Sequence, residues 1–194
     1  MKQIGLFSGS FNPVHIGHLA LANWISEYEE MDELWFLVTP QSPMKTRTAM
    51  LDAGVRLEMV RRSIAGYRKF KASDFEFAMP QPSYTVDTLR CIHQAYPDAS
   101  FQFIIGADNW SVFDKWKDYQ EIINKYRILV YPRLGYDARI PAEYSNVRKV
   151  NAPLIEISSL FIREAHEHGK DVRFFIPEGI REYYYCSDAA EVQS

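Results

Sequence analysis

His15 and His18 lie three positions apart in the stretch GSFNPVHIGH, directly after the first apolar run of the chain. At i and i+3 they share one face of an opening helical turn. Ahead of them stand Gly9 and Ser10, suited to a turn whose backbone N–H groups face an anion. Two imidazole donors beside the positive end of a helix are a means of holding phosphate. A zinc pair would call for the i, i+4 spacing of HExxH and a third ligand, neither of which is evident, so no protein-held metal is expected. No GKS or GKT closes the turn, and its glycines are wrongly spaced for GxGxxG, which sets aside Walker and dinucleotide-fingerprint loops. Either histidine alone reads as a surface or capping residue; the combination points to phosphate. Two further stretches, IIGADNW from Ile104 and ISSLFIR from Ile157, also follow apolar runs.

Bringing three such stretches together requires a scaffold that places loops at one edge. Gln3–Ser8, Glu33–Pro40, FQFIIGADN from Phe101 and Tyr126–Pro132 read as short buried strands running into turn residues. FKASDFEFA from Phe70 and APLIEISS from Ala152 extend the series to six. Between the strands, apolar residues recur at helical spacing: Ile16, Leu19, Ala20 and Trp24, then LDAGVRLEMVRRSIAGY from Leu51. Val86, Leu89 and Ile92 follow Ser83 as N-cap and stop before Pro97. Helices are also predicted in DYQEIINK from Asp118, in SLFIREAHEHG with Gly169 as C-cap, and in PEGIREYYY from Pro177. This alternation predicts an α/β fold, a Rossmann-like doubly wound parallel sheet with helices on both faces. Residues 1–186 are expected to form one domain and residues 187–194 a polar tail. In such sheets ligands bind at the carboxyl ends of strands, where all three stretches fall.

The 194 residues, 47% hydrophobic and 24% charged, describe an ordinary globular chain. A formal net charge of -3 leaves no global basic footprint, so no nucleic-acid partner is expected and any phosphate ligand needs a local site. No apolar segment approaches the roughly 20 residues of a membrane span, and the first residues are too weakly apolar for a signal peptide. A cytoplasmic protein without a membrane partner is expected. Cys91 and Cys186, far apart and without CxxC spacing, read as reduced, partly buried thiols without a role. A homo-oligomer is left open by the aromatic end REYYYC.

GSFNPVHIGHL resembles the GxFxPxHxGH signature of the HxGH nucleotidyltransferase superfamily, and ISSLFIR is similar to its second signature, of the ISSTxIR type. PSYTVDTL, FIIGADNW and DKWKDY narrow the resemblance to the bacterial nicotinate mononucleotide adenylyltransferases (nicotinate-nucleotide adenylyltransferases), over nearly the whole chain. The resemblance implies the nucleotidyltransferase fold and a step of NAD biosynthesis. The phosphate of nicotinate mononucleotide attacks the α-phosphorus of ATP, giving nicotinate adenine dinucleotide and pyrophosphate, with Mg2+ accompanying ATP. A mononucleotide phosphate is already an anionic nucleophile, so the histidines would act as donors rather than bases. The resemblance places Gly9, Ser10 and Phe11 along the phosphate turn, His15 and His18 on the ATP phosphates, and Ser158 and Arg163 on the β- and γ-phosphates. Gly106 and Asp108 match positions that hold adenosine; Thr85 and Trp116 match the nicotinate pocket; Lys45, and behind it Arg47, would reach a phosphate. Three positions depart from the family pattern. Met44 stands where histidine is common, Asn12 where many members have Asp, and Leu160, expected to face away from the phosphates, where Thr or Ala is usual.

Two competing readings remain. An adenylyltransferase with another acceptor, such as phosphopantetheine, would lack the PSYT and DKWKDY pattern. A non-catalytic nucleotide-binding module would have no need of His15, His18, Ser158 and Arg163 together. The sequence leaves the choice between nicotinate and nicotinamide mononucleotide open.

Overall fold

The computed structural model describes residues 1–41 and 50–191. Strands β1 (Lys2–Gly9), β2 (Glu33–Val38), β3 (Phe70–Ser73), β4 (Ala99–Gly106), β5 (Arg127–Tyr131) and β6 (Val147–Lys149) form one sheet in the order β3-β2-β1-β4-β5-β6. Every neighbouring pair is parallel. Strand order reverses between β1 and β4, which opens a crevice at their carboxyl ends.

Strand side chains alternate between two cores, because successive residues point to opposite faces. Phe7, Leu34, Phe36, Val38, Ile104 and Leu129 pack in one core, with α1 (Ile16–Tyr28), α2 (Ala53–Ser63), α6 (Ser159–Glu167) and α7 (Arg181–Glu191) over them. Ile4, Leu6, Trp35, Phe103, Ile105 and Val130 pack in the other, covered by α3 (Thr85–Ala95), α4 (Ala107–Trp110) and α5 (Tyr119–Lys125). The predicted doubly wound sheet is therefore the observed one. Among the described residues no helix is long and apolar enough to cross a membrane.

Several local expectations are corrected. The sixth strand is Val147–Lys149, not APLIEISS. Val150 N–H still donates to Val130 O, but Pro153 has no N–H with which to continue a ladder, and the segment leaves the sheet edge. Of FKASDFEFA only Phe70–Ser73 is strand, and Phe75–Ala78 coils into a 3-10 turn. Ser83 is not the N-cap of α3. Tyr84 holds that position without a side-chain cap, and the Ser83 hydroxyl donates instead to Glu76. The backbone of α7 continues to Glu191, into the segment read as tail. Cys91 and Cys186 are both exposed, not partly buried.

Candidate active site

The first stretch folds as a tight turn between β1 and α1. Phe11 adopts φ of 46°, in the left-handed region, and its ring is buried against Phe7, Phe36 and His18. That burial offsets the cost of the backbone conformation. His15 is the N-cap of α1 and forms a reciprocal pair with His18. The His18 N–H donates to His15 Nδ1 at 3.3 Å, and the His15 N–H donates to His18 Nδ1 at 3.2 Å. The rings stack with centroids 3.6 Å apart. A Cβ on Gly17 would lie 3.0 Å from His15 Nδ1, so the glycine between the histidines is what lets the rings close over the backbone.

This geometry fixes the protonation of both rings. With Nδ1 accepting from the backbone, the proton sits on Nε2, and each imidazole presents an N–H donor. Burial, reinforced by the charge of Arg133, lowers the pKa of His15 to about 3, so it is neutral at physiological pH.

Four further contacts lock the turn. Arg163 Nη1 donates to Asn12 O at 2.6 Å, and Ser159 Oγ donates to Pro13 O at 2.9 Å, so α6 is tied to the turn. Asn12 Oδ1 accepts the Leu51 N–H at 3.1 Å. Arg56, 1% exposed, donates to Ser10 O at 2.6 Å, and its other N–H groups reach the carbonyls of Thr39, Pro40 and Leu51. A buried guanidinium is tolerable when its donors are filled in this way. Ser158 caps α6 by accepting the Phe161 N–H.

Two cavities open at the carboxyl ends of the strands. The first, about 390 Å3, is lined by His15, His18, Asp108, Arg133, Ser158 and Arg163, among others. Among the described residues Arg133 and Arg163 outnumber the one lining carboxylate, Asp108, which lies 3.7 Å from Arg133. The second, about 380 Å3, has Thr85, Trp116, Glu76, Lys115 and Lys117 in its wall. Trp116 packs between Phe103 and Phe113, with centroids 6.2 Å and 5.0 Å away. Glu76 is buried and receives the hydroxyls of Ser83 and Thr88; burial raises its pKa against these bonds and one from Thr39. Among the described residues only Gly9, Ser10 and Tyr131 border both cavities.

The fold thus gathers Gly9, Ser10, Phe11, His15, His18, Asp108, Ser158 and Arg163 around one cavity, and Thr85 with Trp116 around its neighbour. Gly106 lines the second cavity rather than the first, and Leu160, expected to face away, lines the first. Lys45 and Arg47 lie outside the described residues. Arg56, Glu76, Tyr131 and Arg133 escaped the sequence reading. Tyr131 and Arg133 stand in YPR at a strand end, the same position that exposed the three chemical stretches. Among the described residues no group of three or more metal-ligating side chains forms. Asp108, whose buried Oδ1 accepts no hydrogen bond, is the carboxylate of the first cavity that a cation carried in on phosphates would meet.

Comparison with known proteins agrees with this arrangement. A family model described as cytidylyltransferase-like matches residues 6–165. A Bacteroides thetaiotaomicron protein named "Probable nicotinate-nucleotide adenylyltransferase" is 50% identical over 181 residues, 93% of this chain and 90% of that protein. A Bacteroides fragilis protein of the same name is 51% identical over 174 residues, 90% of this chain and 87% of the other. The nicotinic acid mononucleotide adenylyltransferase of Plasmodium falciparum, solved in complex with NaAD, aligns with a TM-score of 0.77 at 19% identity. That alignment covers 94% of this chain and 96% of the other, and speaks for the fold.

Proposed function

The chain belongs to the cytidylyltransferase-like family, and on that premise we propose that it transfers the adenylyl group of ATP to nicotinate mononucleotide, releasing pyrophosphate and forming nicotinate adenine dinucleotide. The observation that carries this reading is the pair of cavities meeting at the carboxyl end of β1, one cationic and one aromatic. Residues 1–186 act as one unit, and the reaction is placed in the cytoplasm.

ATP lies with its phosphates in the first cavity. Neutral His15 donates from Nε2 with His18 beside it, while Arg163 and Ser158 take the β- and γ-phosphates at the N-terminus of α6. The mononucleotide enters the second cavity with its ring on Trp116, and Thr85 begins the helix beneath. Lys115, beside Trp116 in the same wall, favours an acid over an amide on that ring, while Lys117 is paired with Asp87 at 2.7 Å. The acceptor phosphate then meets the α-phosphorus at Gly9 and Ser10. No base is required, since the nucleophilic oxygen carries its charge already. The protein aligns two anions and stabilises charge on the transferring group. Asp108 is the carboxylate that would meet a Mg2+ ion carried by ATP, and the chemistry such an ion would supply is neutralisation of charge on pyrophosphate.

The test is pyrophosphate release with Mg·ATP and, in parallel, nicotinate mononucleotide, nicotinamide mononucleotide or phosphopantetheine. Preference for nicotinate mononucleotide, with the dinucleotide as product, is expected. Activity with phosphopantetheine alone, or none with any acceptor, would sink the reading.

A further inference from the structure

We propose that Tyr131 is a further catalytic residue, its phenolic hydroxyl donating a hydrogen bond to the phosphoryl group in transfer where the two cavities meet. This deepens the adenylyl-transfer reading and rests on it. Beyond the β1 turn, Tyr131 is the one described residue that borders both cavities. It ends β5 and pairs in register with Gly106 at the end of β4, beside the point where strand order reverses.

The side chain is held in place and its hydroxyl is uncommitted. The ring stands edge-on to Phe7, with centroids 6.1 Å apart at 83°. A Cβ on Gly106 would approach Tyr131 Cζ to 3.1 Å, so the glycine is what lets the ring settle there. Among the described residues the hydroxyl makes no hydrogen bond, yet it is not among the sealed, unpartnered polar atoms of the interior. A phenol seated in a core usually finds a partner; one left over at a substrate junction is placed to bond substrate. Burial pushes its pKa up to about 12, with the nearby charges of Arg133 and Asp108 acting in opposite directions, so the group keeps its proton and remains a donor.

The chemistry calls for such a donor. In the transfer, an oxygen of the acceptor phosphate forms a bond to the α-phosphorus, and the bond from that phosphorus to the oxygen bridging to the β-phosphorus breaks. The electron pair leaves on pyrophosphate. Charge spreads over the oxygens of the transferring group, where a preorganised hydroxyl acts more strongly than in the ground state. The Ser10 carbonyl cannot serve, since it is an acceptor already engaged by Arg56.

Tyr131→Phe removes the hydroxyl and keeps the packing, whereas Tyr131→Leu removes both. Both variants should lose about ten- to a hundredfold in kcat with nicotinate mononucleotide and Mg·ATP. KM for each substrate should change less than about threefold, since the bond belongs to the transition state. Thermal unfolding of Tyr131→Phe should match wild type. Normal kcat in Tyr131→Phe, with loss only in Tyr131→Leu, would assign the residue to packing and overturn the proposal. So would a rise in KM for the mononucleotide at unchanged kcat. A wild-type chain inactive with every acceptor would overturn the adenylyl-transfer reading and this proposal together; an active wild type with an unaltered Tyr131→Phe overturns the proposal alone.

Discussion

Arg163 donates a 2.6 Å hydrogen bond to the carbonyl oxygen of Asn12, 151 positions earlier in the chain. The arginine of the last motif therefore supports the turn of the first as well as lining the first cavity. Arg163→Ala should lower kcat by orders of magnitude and also cost about 1 kcal/mol of stability, measured by urea unfolding. Arg163→Lys keeps the charge without the planar fork, so it should recover only part of either loss. Full recovery by lysine would mean that charge alone matters.

The mutual capping of His15 and His18 separates a structural from a chemical task. Asparagine is a good N-cap, so His15→Asn should fold near normally while losing the Nε2 donor and most of its turnover. His18→Ala should likewise lower kcat by orders of magnitude with the fold intact. Near-normal turnover in either variant would contradict the donor role.

Acid stability should report the same ring. His15 titrates at about 3 in the folded chain against 6.5 as its ordinary value, so between these values the unfolded chain binds a proton that the folded chain does not. Its contribution to stability is present above about 6.5 and is lost as the pH falls toward 3. Melting temperature should thus fall more steeply from pH 7 to pH 4 in wild type than in His15→Asn, and parallel curves would rule out the depressed value. Turnover should not show a histidine step between about pH 6.5 and 9 from this residue.

Arg56 holds four backbone carbonyls on its own. Arg56→Met leaves buried acceptors unfilled and should cost about 3 kcal/mol or more in chemical unfolding. Arg56→Lys should fall between, since one ammonium cannot reach both sides of the fork. A neutral effect would show that the carbonyls find other partners.

In the second cavity, Trp116→Ala should raise KM for the mononucleotide about three- to tenfold, with a smaller change for ATP. Glu76→Ala should show the same split by freeing the Ser83 and Thr88 hydroxyls that hold the start of α3. Equal effects on both substrates would argue against a separate acceptor pocket.

The sheet was legible because most of its strands are apolar on both faces, and the turn after β1 because His15 and His18 stand at a strand-to-helix junction. β6 was hidden since an edge strand carrying Arg148 and Lys149 has no apolar alternation to reveal it. Ser83 misled because a hydroxyl before a helix suits a cap as well as it suits Glu76, and only the folded chain brings Glu76 within reach. Arg56 in sequence is another helix charge; its four acceptors come from residues 10, 39, 40 and 51. Tyr131 reads as one more apolar residue of a buried strand until the crevice gives it two neighbours.

The narrow border between the cavities bears on how the reaction finishes. On the proposed function, a mononucleotide would fill one side while the joined dinucleotide would span both, its second half held at the high effective concentration that a short covalent link provides. Such a product would grip the protein more firmly than either half could. On that reading it leaves by releasing one end before the other, each half loosening while its partner still holds.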